Sequence, residues 1–187
     1  MAKKVICFIG PSGSGKTTIV RHLCRNRKCG EIISTTTRAR RPSEKPGKDY
    51  NFVSKERFEL MDKIESTEYT GNYYGITADE VKNKLSNYEY VFAVVDLAGF
   101  IHLKTYIERN HGVPVSSVFI NVNKTLLIER LIKRGDSSEN ILKRIKNLDN
   151  DMKSKEFCDV VFENNKSIIN YDKLKRLIEI DWFFGGF

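Results

Sequence analysis

Gly10-Pro11-Ser12-Gly13-Ser14-Gly15-Lys16-Thr17 decides the fold. It is a complete G-x-x-x-x-G-K-[ST] stretch, with the apolar run Lys4 to Ile9 before it and a segment of helical spacing after it. In that setting the glycines let backbone N–H groups turn inward around a β-phosphate, and the start of the following helix adds a dipole that favours an anion. Lys16 is expected to reach the β- and γ-phosphate oxygens, and the Thr17 hydroxyl to ligate Mg2+. Gly10, Pro11, Ser12, Gly13, Ser14, Gly15, Lys16, Thr17 and Thr18 together form the candidate cradle for a nucleotide. A turn that merely joined a strand to a helix would need neither the lysine nor the hydroxyl at fixed offsets.

Outward from this loop, short β-rich apolar runs alternate with helical segments, which predicts an α/β domain on a mostly parallel five-stranded sheet flanked by helices. The expected strands are Lys4 to Ile9, Glu31 to Ser34, Tyr90 to Val95, Val115 to Asn121 and Val160 to Phe162, with a first helix from Gly15 to about Arg25. Strand ends line the crevice of such a sheet, so Asp96, after Tyr90 to Val95, is the candidate second Mg2+ ligand; an Asp in that place also reads as a helix cap. From about 35 to 77 the texture changes: Pro42, Pro46 and Gly47 break the chain, and tyrosines, threonines and basic residues accumulate. This predicts an inserted small subdomain. A second polar excursion, about 133–155, predicts a helical lid, with Asp136 and Glu139 as a capping pair. The expected whole is one domain, 1–187, with a core of 1–34, 78–132 and 156–180; the aromatic end, Asp181 to Phe187, has no functional reading.

Composition bounds the partners. The 187 residues are 40% hydrophobic and 30% charged, the balance of a chain that buries its own core without disulfide or metal support. Thirty-two Lys and Arg against 24 Asp and Glu give a formal charge of +8, which suits nucleotides, nucleic acid or an acidic membrane alike. Apolar stretches fall far short of the roughly 18 residues that span a bilayer. The opening Met1-Ala2-Lys3-Lys4 carries no signal-peptide cleavage site, so the expected location is cytoplasmic. Cys7, Cys24, Cys29 and Cys158 form no CxxC pair and read as reduced thiols.

The acceptor is written in the insertion. Ser34-Thr35-Thr36-Thr37-Arg38-Ala39-Arg40-Arg41-Pro42, Gly47-Lys48-Asp49-Tyr50-Asn51-Phe52-Val53-Ser54, Ile64-Glu65 and Gly71-Asn72-Tyr73-Tyr74-Gly75 resemble the guanylate kinase family. The resemblance continues through Arg130-Leu131-Ile132-Lys133-Arg134-Gly135-Asp136 to Phe157-Cys158-Asp159-Val160-Val161-Phe162-Glu163-Asn164. It implies a P-loop NTPase-type core, an inserted monophosphate-binding subdomain and a lid, with ATP as phosphoryl donor and GMP as acceptor. Arg38, Arg41, Tyr50 and Tyr74 would hold the GMP phosphate; arginine forks suit such a dianion because they bind it bidentately. Glu65 would read guanine, whose N1–H and 2-amino group offer two parallel donors to one carboxylate, and Ser34, Thr77 and Asp96 complete the acceptor set.

Three departures stand against the family pattern. Ile76 occupies the place of a small hydroxyl residue, Val94 that of a base-contacting Asp, and the segment from Phe58 to Glu65 is about four residues short; guanine selectivity is therefore expected to be looser, or the acceptor altered. The charged cradle of the transfer is expected to comprise Lys16, Arg41, Arg134 and Arg144, with Arg130 a further candidate, and closure is expected to exclude water. The rival readings are a non-catalytic guanylate kinase-like scaffold and a nucleic-acid-directed phosphate-loop protein. Small nucleotides rather than nucleic acid or membrane are the expected partners, with the chain a monomer or homodimer.

Overall fold

The structure is a computed structural model that describes residues 2–177 apart from 43, 70, 166–168 and 175; the aromatic end and the last expected core residues, 178–180, lie outside the described residues. Its centre is β1 (Lys4–Ile9), buried at all six positions. A parallel strand covered on both faces must be apolar throughout, which is why this run shows no polar alternation. Around it, β2 (Cys29–Ile32), β7 (Tyr90–Val94), β8 (Val115–Asn121) and β9 (Val160–Glu163) give the order β2-β7-β1-β8-β9, every pair parallel.

Successive β1 side chains serve opposite layers. Val5, Cys7 and Ile9 pack with Val81 and Leu85 of α3 (Ala78–Asn87) and with Leu103 and Ile107 of α4 (Leu97–His111). Ile6 and Phe8 pack with Ile19, Val20 and Leu23 of α1 (Lys16–Leu23). β1 and β8 run as their sequence predicts. β2 begins two residues earlier than expected because Gly30, opposite Val91, leaves room for the Tyr88 ring; a Cβ there would lie 2.4 Å from it. That shift leaves Ser34 beyond the strand, at the crossing into a second sheet.

The second sheet occupies the expected insertion. Its strands are β3 (Thr35–Thr36), β4 (Asn51–Phe52), β5 (Lys63–Tyr69) and β6 (Asn72–Thr77), in the order β4-β3-β6-β5, with the short α2 (Lys55–Glu59) between β4 and β5. β5 and β6 are antiparallel, and the register shifts between Lys63 and Glu65. Ile76 of β6 is 1% exposed and belongs to the main core beside Val81 and Val95, so the insertion is anchored to the domain by its own last strand.

Beyond β8, α5 (Lys124–Lys133) and α6 (Ser138–Lys153) form a hairpin with a separate apolar cluster of Val122, Leu127, Leu131 and Leu148. The expected Asp136–Glu139 capping pair is not what starts α6. Ser137 is the cap, its hydroxyl accepting the Asn140 N–H at 3.3 Å, because the Asp136 carboxylate is drawn to arginine instead. All four cysteines are free thiols, and no helix among the described residues is long and apolar enough to cross a membrane.

Candidate functional site

The loop between β1 and α1 is shaped by backbone. Gly10 has φ +139° and lies so close to β8 that a Cβ would meet Ile120 O at 2.7 Å; Gly15, with φ +101°, would press one against Asn164 Nδ2 at 2.8 Å. Only glycine fits both conformation and space. Behind the loop, the buried Asn164 donates from Nδ2 to Ser14 O at 2.7 Å. Arg130 donates to Ser14 O at 3.3 Å and to Asn164 O at 3.2 Å. Arg130, a further candidate for the charged cradle in the sequence, braces the loop from behind through these bonds. Asn164 is a functional residue that sequence reasoning missed; a lone Asn after a strand carries no signal of what it will meet.

Lys16 folds over the loop, donating from Nζ to Gly10 O at 2.6 Å and Pro11 O at 2.9 Å. Burial, with Arg134 and Arg144 nearby, pushes its ammonium down to about 8, so it remains mostly charged at neutral pH. Thr17 is exposed in the first turn of α1. Thr18, also exposed, lines a cavity of about 650 Å³ with Arg21, Glu31 and Lys48, between α1 and the insertion. Ser12 faces the lid, where Arg134 Nη2 donates to its hydroxyl at 3.4 Å.

The insertion presents one face of its sheet. Glu65 pairs with Ile76 and Thr67 with Tyr74, and directly opposed residues point the same way. Glu65, Tyr74 and Ile76 therefore share a face. Tyr74 meets Tyr50 edge-on at 5.9 Å, and Arg38 lies 5.5 Å over the Tyr50 ring, which gathers three of the four expected phosphate-binding side chains. Arg38 donates to Glu44 at 2.7 Å; Arg41 is 66% exposed, 3.8 Å from the same carboxylate. Glu44, which also accepts the Arg41 N–H at 2.9 Å, organises both arginines and was missed in the sequence. Its signal was an acid three residues after Arg41.

Thr77 does not join this group. As the neighbour of Ile76 it falls on the opposite face of β6, where its hydroxyl caps α3 by accepting the Glu80 N–H at 3.3 Å. Ser34 is half-buried at the crossing between the sheets, its carbonyl accepting the Asn51 N–H at 2.9 Å. Asp96 caps α4, with Oδ1 accepting the Gly99 N–H at 2.7 Å. One carboxylate oxygen is thus committed to the helix, as the capping alternative requires. Asp96 is nonetheless close enough to Glu65 to act on it: burial first, then Asp96, pushes Glu65 up to about 7. Asp151 on α6, unnoticed in the sequence, is raised by burial and lies within the fields of Lys16, Asp96 and Arg144. The Glu65 face of the second sheet, the loop after β1 and the α5–α6 hairpin thus converge electrostatically.

Comparison with known proteins agrees with this geometry. The guanylate kinase family model matches residues 2–181. A guanylate kinase of Bartonella quintana (strain Toulouse) is 36% identical over 159 residues, 82% of this chain and 71% of its own. One from Streptococcus thermophilus (strain CNRZ 1066) is 34% identical over 191 residues, covering 96% and 87%. The crystal structure of guanylate kinase from Anaplasma phagocytophilum superposes with a TM-score of 0.66 at 24% identity, over 96% of this chain and 85% of that one, which is a shared fold. With a family match over residues 2–181 and relatives above 30% identity that cover 82% and 96% of its length, the chain belongs to the guanylate kinase family.

Proposed function

We propose that the chain transfers the γ-phosphoryl group of ATP reversibly to GMP, and by the same base contacts to dGMP, giving ADP and GDP or dGDP, in the cytoplasm. The observation that carries this reading is the shared face of the insertion, which sets the half-buried Glu65 carboxylate at one end and the Arg38, Tyr50 and Tyr74 group along the same surface. An ionised Glu65 accepts guanine N1–H and the 2-amino group together; adenine offers no such pair of donors. Arg38 and the two phenols take the 5′-phosphate, with Arg41 free to swing in from its exposed position.

No side chain need attack, because the acceptor phosphate already supplies a charged oxygen. This chain's residues align and neutralise: Lys16 and the loop N–H groups hold the β- and γ-phosphates, and Arg134 and Arg144 approach the transferring group from the lid. The donor set suits a magnesium ion carried in by the triphosphate. Thr17 offers an exposed hydroxyl and Asp96 its uncommitted oxygen, and no cluster of three or more His, Cys, Asp or Glu among the described residues forms a cage of its own. Bound there, the metal would neutralise charge on the β- and γ-oxygens.

A coupled assay of ADP release tests the reading, with ATP and Mg2+ against GMP, dGMP, IMP, AMP, CMP and UMP. GMP is expected to give the highest kcat/KM, by at least a hundredfold over AMP. Failure to phosphorylate GMP while ATP still binds would overturn it.

A further inference from the structure

Asp136 lies in the link between α5 and α6, directly after Gly135, whose φ of +84° turns the chain back on itself. It leaves the capping of α6 to Ser137. Its carboxylate is gripped by Arg134 at two points, Nε to Oδ1 at 2.8 Å and Nη2 to Oδ2 at 2.5 Å. Oδ2 also stands 3.2 Å from Arg144 Nε, a contact of charge rather than a directed hydrogen bond. The Asp136 side chain is 14% exposed, while those of Arg134 and Arg144 are 49% and 28%. Its carboxyl is held below the usual range by Arg134 first, with Arg144 and then Arg41 of the insertion adding to the field.

The cations gathered here would otherwise repel one another. Arg134 and Arg144 both bear on Lys16, and Arg134 already touches Ser12 of the phosphate loop. Asp136 alone among the described residues makes ion pairs with both lid arginines. One guanidinium follows the end of α5 and the other comes from α6, so without a common anchor each would sample its own rotamers, and a misplacement of about 1 Å at a reacting centre costs up to about a hundredfold in rate.

We propose, resting on the phosphoryl-transfer reading above, that Asp136 is a positioning residue that holds Arg134 and Arg144 side by side over the phosphate loop. The same carboxylate repels the incoming triphosphate, so its effects on rate and on donor affinity have opposite signs. Removing its charge frees the arginines to bind ATP while losing their alignment for transfer.

Asp136→Asn, Asp136→Glu, Arg134→Ala and the double variant Asp136→Asn/Arg134→Ala test this in the full-length protein, with kcat from the GMP assay, the ATP dissociation constant from calorimetry and Tm for each. Asp136→Asn is expected to lower kcat about 10- to 100-fold with ATP affinity unchanged or several-fold tighter, and Asp136→Glu to recover at least part of the rate. In the Arg134→Ala background the same change is expected to cost less than threefold, because with one guanidinium gone Asp136 has no pair left to hold side by side. Additive losses in the double variant, wild-type kcat in Asp136→Asn, or a rate loss matched by weaker ATP binding or a smaller folded fraction would overturn the proposal. A wild-type chain inactive on GMP would count instead against the proposed function.

Discussion

The phosphate loop and the proposed acceptor face are built for related work, holding phosphate, by opposite means. The loop is eight consecutive residues whose shape is set by backbone, with Gly10 and Gly15 at positive φ and Asn164 and Arg130 bracing it from behind. The acceptor face is built from side chains brought by β5, β6 and the turn around Glu44 and Tyr50, held by aromatic edges and shared carboxylates. A backbone cradle recognises any polyphosphate and tolerates little change; a side-chain face recognises one base and can be retuned residue by residue.

Substitutions separate the two modes. The largest effect is expected at their junction: Arg134→Ala should lower kcat by about 10³ with Tm nearly unchanged, since a cis arginine stabilises charge that develops in transfer. Near-wild-type turnover would remove the lid from the chemistry. Glu65→Gln should cut kcat/KM for GMP by about 10² or more, through loss of the paired acceptor.

The same variant is expected to raise Tm by about 2 °C or more above pH 8, because the half-buried carboxylate is destabilising when charged. The sign follows from its raised pKa: folding favours the protonated form, so the contribution of Glu65 to stability is greatest below about 4.5 and is lost as pH rises through about 7. Activity runs the other way. In the wild-type chain kcat/KM for GMP should fall as pH drops below about 7, and Glu65→Gln should retain only the titration of the substrate phosphate near 6. A profile identical in both proteins would detach Glu65 from the base.

Smaller changes test the supports. Tyr74→Phe, which keeps the ring against Tyr50, should raise KM for GMP about tenfold and leave KM for ATP alone, since a hydrogen bond to a charged group is worth about 1.5–3 kcal/mol. Asn164→Ala should do the reverse in kind, lowering Tm by a few degrees through the lost bond to Ser14 O and weakening ATP binding several-fold, with GMP affinity unchanged. If both variants affected both substrates equally, the loop and the face would be one site rather than two.

The contrast also explains what could be read without coordinates. The loop was legible because its physics is contiguous: glycines, lysine and hydroxyl sit at fixed spacing, and β1 announces itself as an unbroken apolar run. The parallel five-stranded sheet follows from alternation of strand and helix, whereas its strand order does not. Arg38, Tyr50 and Tyr74 are named by resemblance, and it is the Tyr50 ring, edge-on to Tyr74 and beneath Arg38, that brings them together. Thr77 is implied by the resemblance, as the hydroxyl next after Ile76, but a strand reverses sides at every step, and the one-residue offset puts it on the far face. Asp136 was read as a cap because capping is local, whereas its partner Arg144 lies eight residues on along α6 and is brought close only by the hairpin. Glu44 left only the faint mark of an acid three residues after Arg41, and Asn164 acts on Ser14, 150 positions away, a proximity that no spacing rule encodes.

Ile76 ties recognition to architecture. It shares the acceptor face with Glu65 and Tyr74 and is also a fully buried member of the main core, packed with Val81 and Val95. A hydroxyl placed there to touch a base would leave a polar atom among aliphatic neighbours and cost several kcal/mol of folding free energy. Drift in substrate preference is therefore cheapest at the exposed Arg41 and most expensive at Ile76, so an evolving population would explore new acceptors from the phosphate end of the pocket inward.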